Sequence, residues 1–276
     1  MRLFLLAAIP TLLGSLFLMH TAQAGRMLEL QQTLVVVVAA ALAWALSRRS
    51  APLSDTWIRG SLGSAALVLL LPLLLSSGDG PRRWVSLGGV RLYVASVVLP
   101  SVVLLLARAL GSSTGKVTGP LVMATVMALT LAAQPDAAQT TAFALACAVL
   151  VVRAELTLVS KALTLAGLAG ALALAWRVPD PLKPVSYVEG VLALAGAMSP
   201  LVLGLALLAL ALLPALLLWR ARSLGSFGLV AVASYYLVID FLAYRQLTPM
   251  PLLGFGAGPI LGYFWMASLA NEVSRK

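Results

Sequence analysis

The chain has 276 residues, 61% of them hydrophobic and 10% charged, with a formal net charge of +10 and a mean hydropathy of +1.02. Soluble domains carry about a quarter charged residues, so a water-soluble enzyme is excluded, and no room remains for a separate soluble domain of ~50 residues. The positive charges lie in loops between apolar runs, which speaks against a nucleic-acid face and for orientation in a bilayer.

Apolar runs near 20 residues, enough to cross a hydrocarbon core of about 30 Å, recur along the whole length. They predict an all-α, polytopic transmembrane bundle of about ten spans: 3–22, 30–47, 60–77, 92–110, 118–133, 138–153, 157–176, 190–218, 226–243 and 252–270. The first run has two readings. Arg2, the apolar stretch Leu3–Met19 and Ala22-Gln23-Ala24 have the shape of a signal peptide with a small-residue cleavage site. Retained, the segment 1–24 is the first span, and residues 1–276 form a single integral membrane domain. His20 closes that span, and one histidine makes no metal site. Cys147 lies inside the sixth span as the chain's one cysteine, so no intrachain disulfide is possible and it reads as a small buried hydrophobe.

Lys and Arg set the orientation. With the N-terminus inside, Arg2, Arg48, Arg49, Arg59, Arg108, Lys116, Arg153, Lys161, Arg220, Arg222, Arg275 and Lys276 fall on the inner side. Arg26, Arg82, Arg83, Arg91, Arg177, Lys183 and Arg245 fall outside. Twelve against seven places both termini in the cytoplasm. Three of the outer positives share the loop 79–91. Such a cluster either marks an anionic partner in the outer leaflet, membrane lipid included, or consists of arginines snorkelling to the interface.

That loop carries Arg82-Arg83-Trp84-Val85-Ser86-Leu87-Gly88 after the third span. Ala133-Gln134-Pro135-Asp136 separates the fifth and sixth spans, and Pro249-Met250-Pro251-Leu252-Leu253-Gly254-Phe255-Gly256-Ala257-Gly258 opens the last. Together, in this order, these segments resemble the SEDS family (shape, elongation, division and sporulation), the FtsW, RodA and SpoVE proteins of bacterial envelopes. The first is similar to the family's Arg-Arg-Trp loop, the second to its Gln-Pro-Asp, and the third to its Pro-Leu-Pro-Phe-Ile-Ser-Tyr-Gly-Gly-Ser. Asn271 to Arg275 resembles the family's closing residues. Residues 60–276 carry the likeness.

The chain also departs from the family. Leu92-Tyr93-Val94-Ala95-Ser96-Val97-Val98-Leu99 stands where the family has a glutamate and a lysine within the membrane. The family's long outer loop with its catalytic aspartate shrinks here to Arg177–Glu189, without histidine, and Ala138 and Ala257 replace family glycines. This is a short, degenerate member.

The resemblance implies a multi-pass protein of the bacterial cytoplasmic (inner) membrane, engaged in peptidoglycan synthesis for division or shape. Its substrate is then a polyprenyl-linked sugar such as lipid II, and its partner a class B penicillin-binding protein. Glycosyl transfer needs cations for the diphosphate and a carboxylate to take the proton of the attacking hydroxyl. Arg82 and Arg83 suit phosphate oxygens, and Trp84, Gln134, Gly254 and Gly256 belong to the matching substrate motifs. Asp79, Asp136, Asp180, Glu189 and Asp240 lie near the outer side, and Glu189 falls nearest the family's catalytic position, with Asp136 second.

Each of these residues has an ordinary reading too. Glu189 and Asp136 suit helix starts, Asp240 suits a pair with Arg245, and the glycines suit close helix packing. No cofactor is expected, and a divalent cation is left open. Nucleotide-loop and zinc motifs are absent. Three function classes therefore stand: a polyprenyl-sugar glycosyltransferase with Glu189 as base, a non-catalytic scaffold for a penicillin-binding protein or other envelope factor, and a flippase or transporter. The last is disfavoured by the shortage of paired intramembrane charges.

Overall fold

The computed structural model describes residues 2–48, 53–75, 80–88, 90–111, 117–180 and 182–273. Asp79, Arg49, Lys116, Arg275 and Lys276 lie outside them. The chain forms α1 (Arg2–Thr21), α2 (Arg26–Leu46), α3 (Asp55–Leu75), β1 (Trp84–Leu87), β2 (Val90–Tyr93), α4 (Val94–Leu110), α5 (Thr118–Ala133) and α6 (Ala137–Arg153). It continues with α7 (Leu158–Ala175), α8 (Val191–Met198), α9 (Pro200–Leu224), α10 (Phe227–Tyr244) and α11 (Ala257–Val273). Six of these helices (α1, α2, α3, α7, α9 and α10) are long and apolar enough to cross a membrane, and α4, α5, α6 and α11 are shorter apolar helices.

The span expected over 190–218 is two helices. Ser199 adopts an extended backbone, and its hydroxyl accepts a hydrogen bond from the Val202 amide, while Pro200 sits at the first position of α9. Both features start a helix and neither continues one. The short α8 thus precedes a full-length α9 that runs six residues past the expected end, to Leu224.

α4 is enclosed along most of its length, from Val94 to Leu106, and packs against α3, α10 and α11. Where α11 meets α4 the contact is backbone on backbone. A Cβ on Gly258 would lie 2.7 Å from the Tyr93 carbonyl, and one on Gly262 would collide with the Ser96 carbonyl. With no hydrophobic driving force between helices in lipid, such close approach supplies the dispersion contacts that hold them together.

α1 is an integral member of the bundle. Tyr263 of α11 donates to the Phe4 carbonyl, and Thr11 donates to the Ala209 carbonyl of α9 at 3.3 Å. His20 meets Glu29 at 3.3 Å across the α1–α2 turn, and Cys147 is buried and free.

β1 and β2, which overlap the second half of the loop 79–91, form a two-stranded antiparallel hairpin, pairing Trp84 with Tyr93 and Leu87 with Val90. Gly88 turns with φ +55°, a left-handed conformation that glycine adopts without strain. The hairpin stands at the end of the bundle where α3 stops and α4 starts. The α5–α6, α7–α8 and α10–α11 connections reach the same end, and this is what assembles the site.

Candidate functional site

Pairing Trp84 with Tyr93 sets Arg83, just before β1, beside the end of β2. Arg83 is 4% exposed. Its guanidinium donates to Asp180 Oδ2 at 2.6 Å and, through its other terminal nitrogen, to the Pro135 carbonyl. Nε has no partner among the described residues. Burial pulls its pKa down, but the Asp136 carboxyl, Tyr93 and Asp180 outweigh burial and hold it above its ordinary value.

Asp136 is buried behind it. It accepts from Tyr93 Oη at 2.5 Å and, as the N-cap of α6, from the Gln139 amide at 3.1 Å. Burial pushes this carboxyl above its usual range, while Arg83, the Tyr93 hydroxyl and the Gln139 amide pull the other way. The chain of bonds continues inward, with Tyr235 of α10 donating to Gln139 Oε1 at 2.6 Å. Asp136 is therefore both a helix cap and the hub of a buried network. An arginine so satisfied is stable where a lone charge would be costly.

Gln134 is fully buried and donates to the Leu69 carbonyl of α3. That bond ties the α5–α6 connection to α3, three residues before Pro72. Arg82 points outward, with one long bond to the Leu73 carbonyl at 3.5 Å. The two arginines thus diverge: Arg83 is internal and Arg82 is exposed. Trp84 is half-buried, its ring 5.6 Å from that of Tyr93.

Glu189 stands two residues before α8. Its Oε2 accepts from the Val185 amide at 2.9 Å, closing a turn in which the amides of Val188, Glu189 and Gly190 reach the Val185 carbonyl. Burial raises its pKa against the backbone amides that favour the charged form. Arg83, Trp84, Tyr93, Asp180, Glu189 and Thr248 line one cavity of about 20 Å³, room for a single water. Among the described residues no ion pair joins Asp240 to Arg245, and one Asp240 oxygen is buried without a partner.

Gly254 and Gly256 lie beside this site and serve the backbone. A Cβ on Gly254 would collide with the Val188 carbonyl, because the 250–255 loop is stitched to the strap before α8 by Met250 N to Val188 O at 3.1 Å and Phe255 N to Tyr187 O at 2.8 Å. Gln32 of α2 holds the other side. Its amide nitrogen donates to the Gly254 carbonyl and to Ser15, both at 3.2 Å, and its oxygen accepts from the Gly256 amide at 3.1 Å. Gln32→Leu is expected to cost about 1–3 kcal/mol by orphaning these buried groups, read as a lower thermal midpoint; an unchanged midpoint would show that the loop is held without it.

Sequence reading left out Tyr93, Gln139, Tyr235, Thr248 and Gln32. The signal for Gln32 and Gln139 was there, an amide inside an apolar span. A larger cavity of about 1130 Å³, lined in part by Asp55, Arg108, Arg153 and Glu155, opens at the opposite end.

The family model for cell cycle proteins of the FtsW, RodA and SpoVE type matches residues 2–180. No curated protein matches significantly. Among solved structures, the rod shape determining protein RodA of Thermus thermophilus is 21% identical, with TM-score 0.65, over 99% of this chain and 95% of that one. An aspartate-to-alanine variant of that RodA gives TM-score 0.74 at 19% identity, over 99% and 96%. A chain from a peptidoglycan synthase complex, solved for the structural coordination of polymerization and crosslinking, gives TM-score 0.69 at 18% identity, again over 99% and 96%. At such identities the likeness is one of fold. The family match stops at residue 180, so Glu189 and the C-terminal loop lie beyond it.

Proposed function

This chain belongs to the FtsW/RodA/SpoVE family of cell cycle proteins, and from that premise we propose that it serves peptidoglycan synthesis in the bacterial cytoplasmic membrane, handling a polyprenyl-diphosphate sugar such as lipid II at its hairpin end. The observation that carries this reading is the convergence of Arg83, Trp84, Asp136 and Glu189, from three separate connections, on one end of the bundle. In this reading that end faces the outer leaflet, and both termini lie in the cytoplasm. Arg83, with Lys183 beside it, takes the diphosphate, Arg82 stays on the exposed side of the hairpin, and Glu189 takes the proton of the attacking sugar hydroxyl. A carboxyl raised by burial suits a general base, since its proton affinity moves toward working pH.

The test is polymerisation of labelled lipid II by the purified protein, alone and with a class B penicillin-binding protein. Glycan chains that disappear in Glu189→Ala support the transferase. Because the base must be ionised, and its pKa is raised, the rate should fall on acidification while still above the ordinary glutamate range. Chains that persist in the variant remove Glu189 from the role.

A second reading, a non-catalytic scaffold for a penicillin-binding protein, draws on the small size of the cavity and on the internal pairing of Arg83. Its signature is an absence of chains under every condition, with retained binding of the partner.

A further inference from the structure

We propose that Asp180 is a built-in counter-ion that keeps a diphosphate seat on Arg83 closed, and that an incoming polyprenyl diphosphate displaces it. This rests on the reading that the hairpin end takes such a substrate. The cavity beside Arg83 measures about 20 Å³, which admits one water and no phosphate. The Arg83 side chain is 5% exposed and both its terminal nitrogens are already bonded, so an anion reaches it by taking the place of one of these partners.

The movable part is identifiable. Tyr187 and Val188 are stitched to the 250–255 loop, and Arg83, Tyr93 and Asp136 are held at the hairpin and the start of α6. Residues 178–180 and 182–184 are exposed, and among them one hydrogen-bonded contact reaches the rest of the bundle, Asp180 to Arg83 at 2.6 Å. Asp180 also accepts from the Leu182 amide at 3.1 Å, so the carboxylate is presented by its own turn.

Its side chain is 24% exposed, whereas that of Arg83 is 5% exposed, so the carboxylate and not the guanidinium can leave. Asp180 offers one negative charge to a single terminal nitrogen of the guanidinium; a diphosphate offers more charge and more acceptor oxygens. Exchange keeps Arg83 paired throughout, which avoids the cost of an orphaned buried cation. Lys183, on the same strap and lining the same cavity, stays at hand for the second phosphate.

The experiment measures binding of undecaprenyl diphosphate to the full chain in nanodiscs. A seat open in about one molecule in ten weakens apparent affinity about tenfold, so Asp180→Asn should bind roughly tenfold tighter. In an otherwise native chain, spin labels on Ser86→Cys and Leu182→Cys should separate when the diphosphate is added; Cys147, buried, takes no label. Equal or weaker binding by Asp180→Asn, with the wild type still binding, overturns the closed seat and leaves the diphosphate reading standing. Labels that stay put in a protein that binds overturn it as well. Absence of binding in both forms overturns the seat and the diphosphate reading together.

Discussion

Arg83→Met should lower stability by about 3–5 kcal/mol, the cost of removing one partner from a buried ion pair. The substitution keeps the length and the apolar stem of the side chain. It deletes the cation facing Asp136 and Asp180 and the donor to the Pro135 carbonyl. Asp136 is wholly enclosed, so it either takes a proton or drags water into the bundle. Thermal unfolding followed by tryptophan fluorescence reads this directly, since Trp84 adjoins the site. Arg83→Lys keeps the charge and loses the fork, so it should recover part of the loss. A midpoint unmoved by the methionine would mean that the pair behaves like an exposed one, worth at most about 1 kcal/mol.

Gly262→Leu should be comparably severe. The new Cβ would run into the Ser96 carbonyl and lie 3.0 Å from Val97 Cα, both backbone of the enclosed helix α4. Neither can rotate aside as a side chain can. Overpacking commonly costs about 1–3 kcal/mol and more where backbone must shift, and here α11 as a whole must lift from α4. Gly170 of α7 supplies the control, because a Cβ there meets nothing within 4 Å. Gly170→Leu should leave the midpoint within about 0.5 kcal/mol of wild type. Equal tolerance at both positions would show that the α4–α11 contact is loose.

The helices were legible because lipid imposes a single pattern, about 20 apolar residues between polar breaks. What escaped that pattern had a local cause. The run 190–218 is apolar throughout, so hydropathy is blind to the Ser199-Pro200 start inside it; a serine N-cap followed by proline at the first helical position was the readable sign. The hairpin was readable too. Trp84–Leu87 and Val90–Tyr93 are β-prone runs separated by Gly88-Gly89, a two-residue hairpin signature, but by hydropathy the apolar span begins at Leu92 and hides it.

The site divides in the same way. Arg83, Trp84, Gln134 and Asp136 stand out as polar residues at breaks, and the structure places them at one end. Their partners do not stand out. No spacing rule links Arg83 to Asp180, 97 residues on, or Tyr93 to Asp136, 43 residues on; only the packing of α3 to α7 brings them together. The divergence of Arg82 from Arg83 comes from the tight turn before β1, in which the Arg83 amide reaches the Pro81 carbonyl at 3.0 Å.

One proportion of the bundle bears on how the membrane acts on it. The enclosed helices α4 and α11 have 17 residues each, about 25 Å of rise, whereas the rim helix α9 has 25 residues, about 37 Å. Acyl chains meet the tall rim, and the short centre has no need to match them. The insulating layer is therefore thinner through the protein than beside it. A transmembrane voltage of 100 mV, worth about 2.3 kcal/mol per charge carried across, falls over that shorter distance. Charged groups near either mouth of the centre consequently sit in a steeper field than the lipid around them.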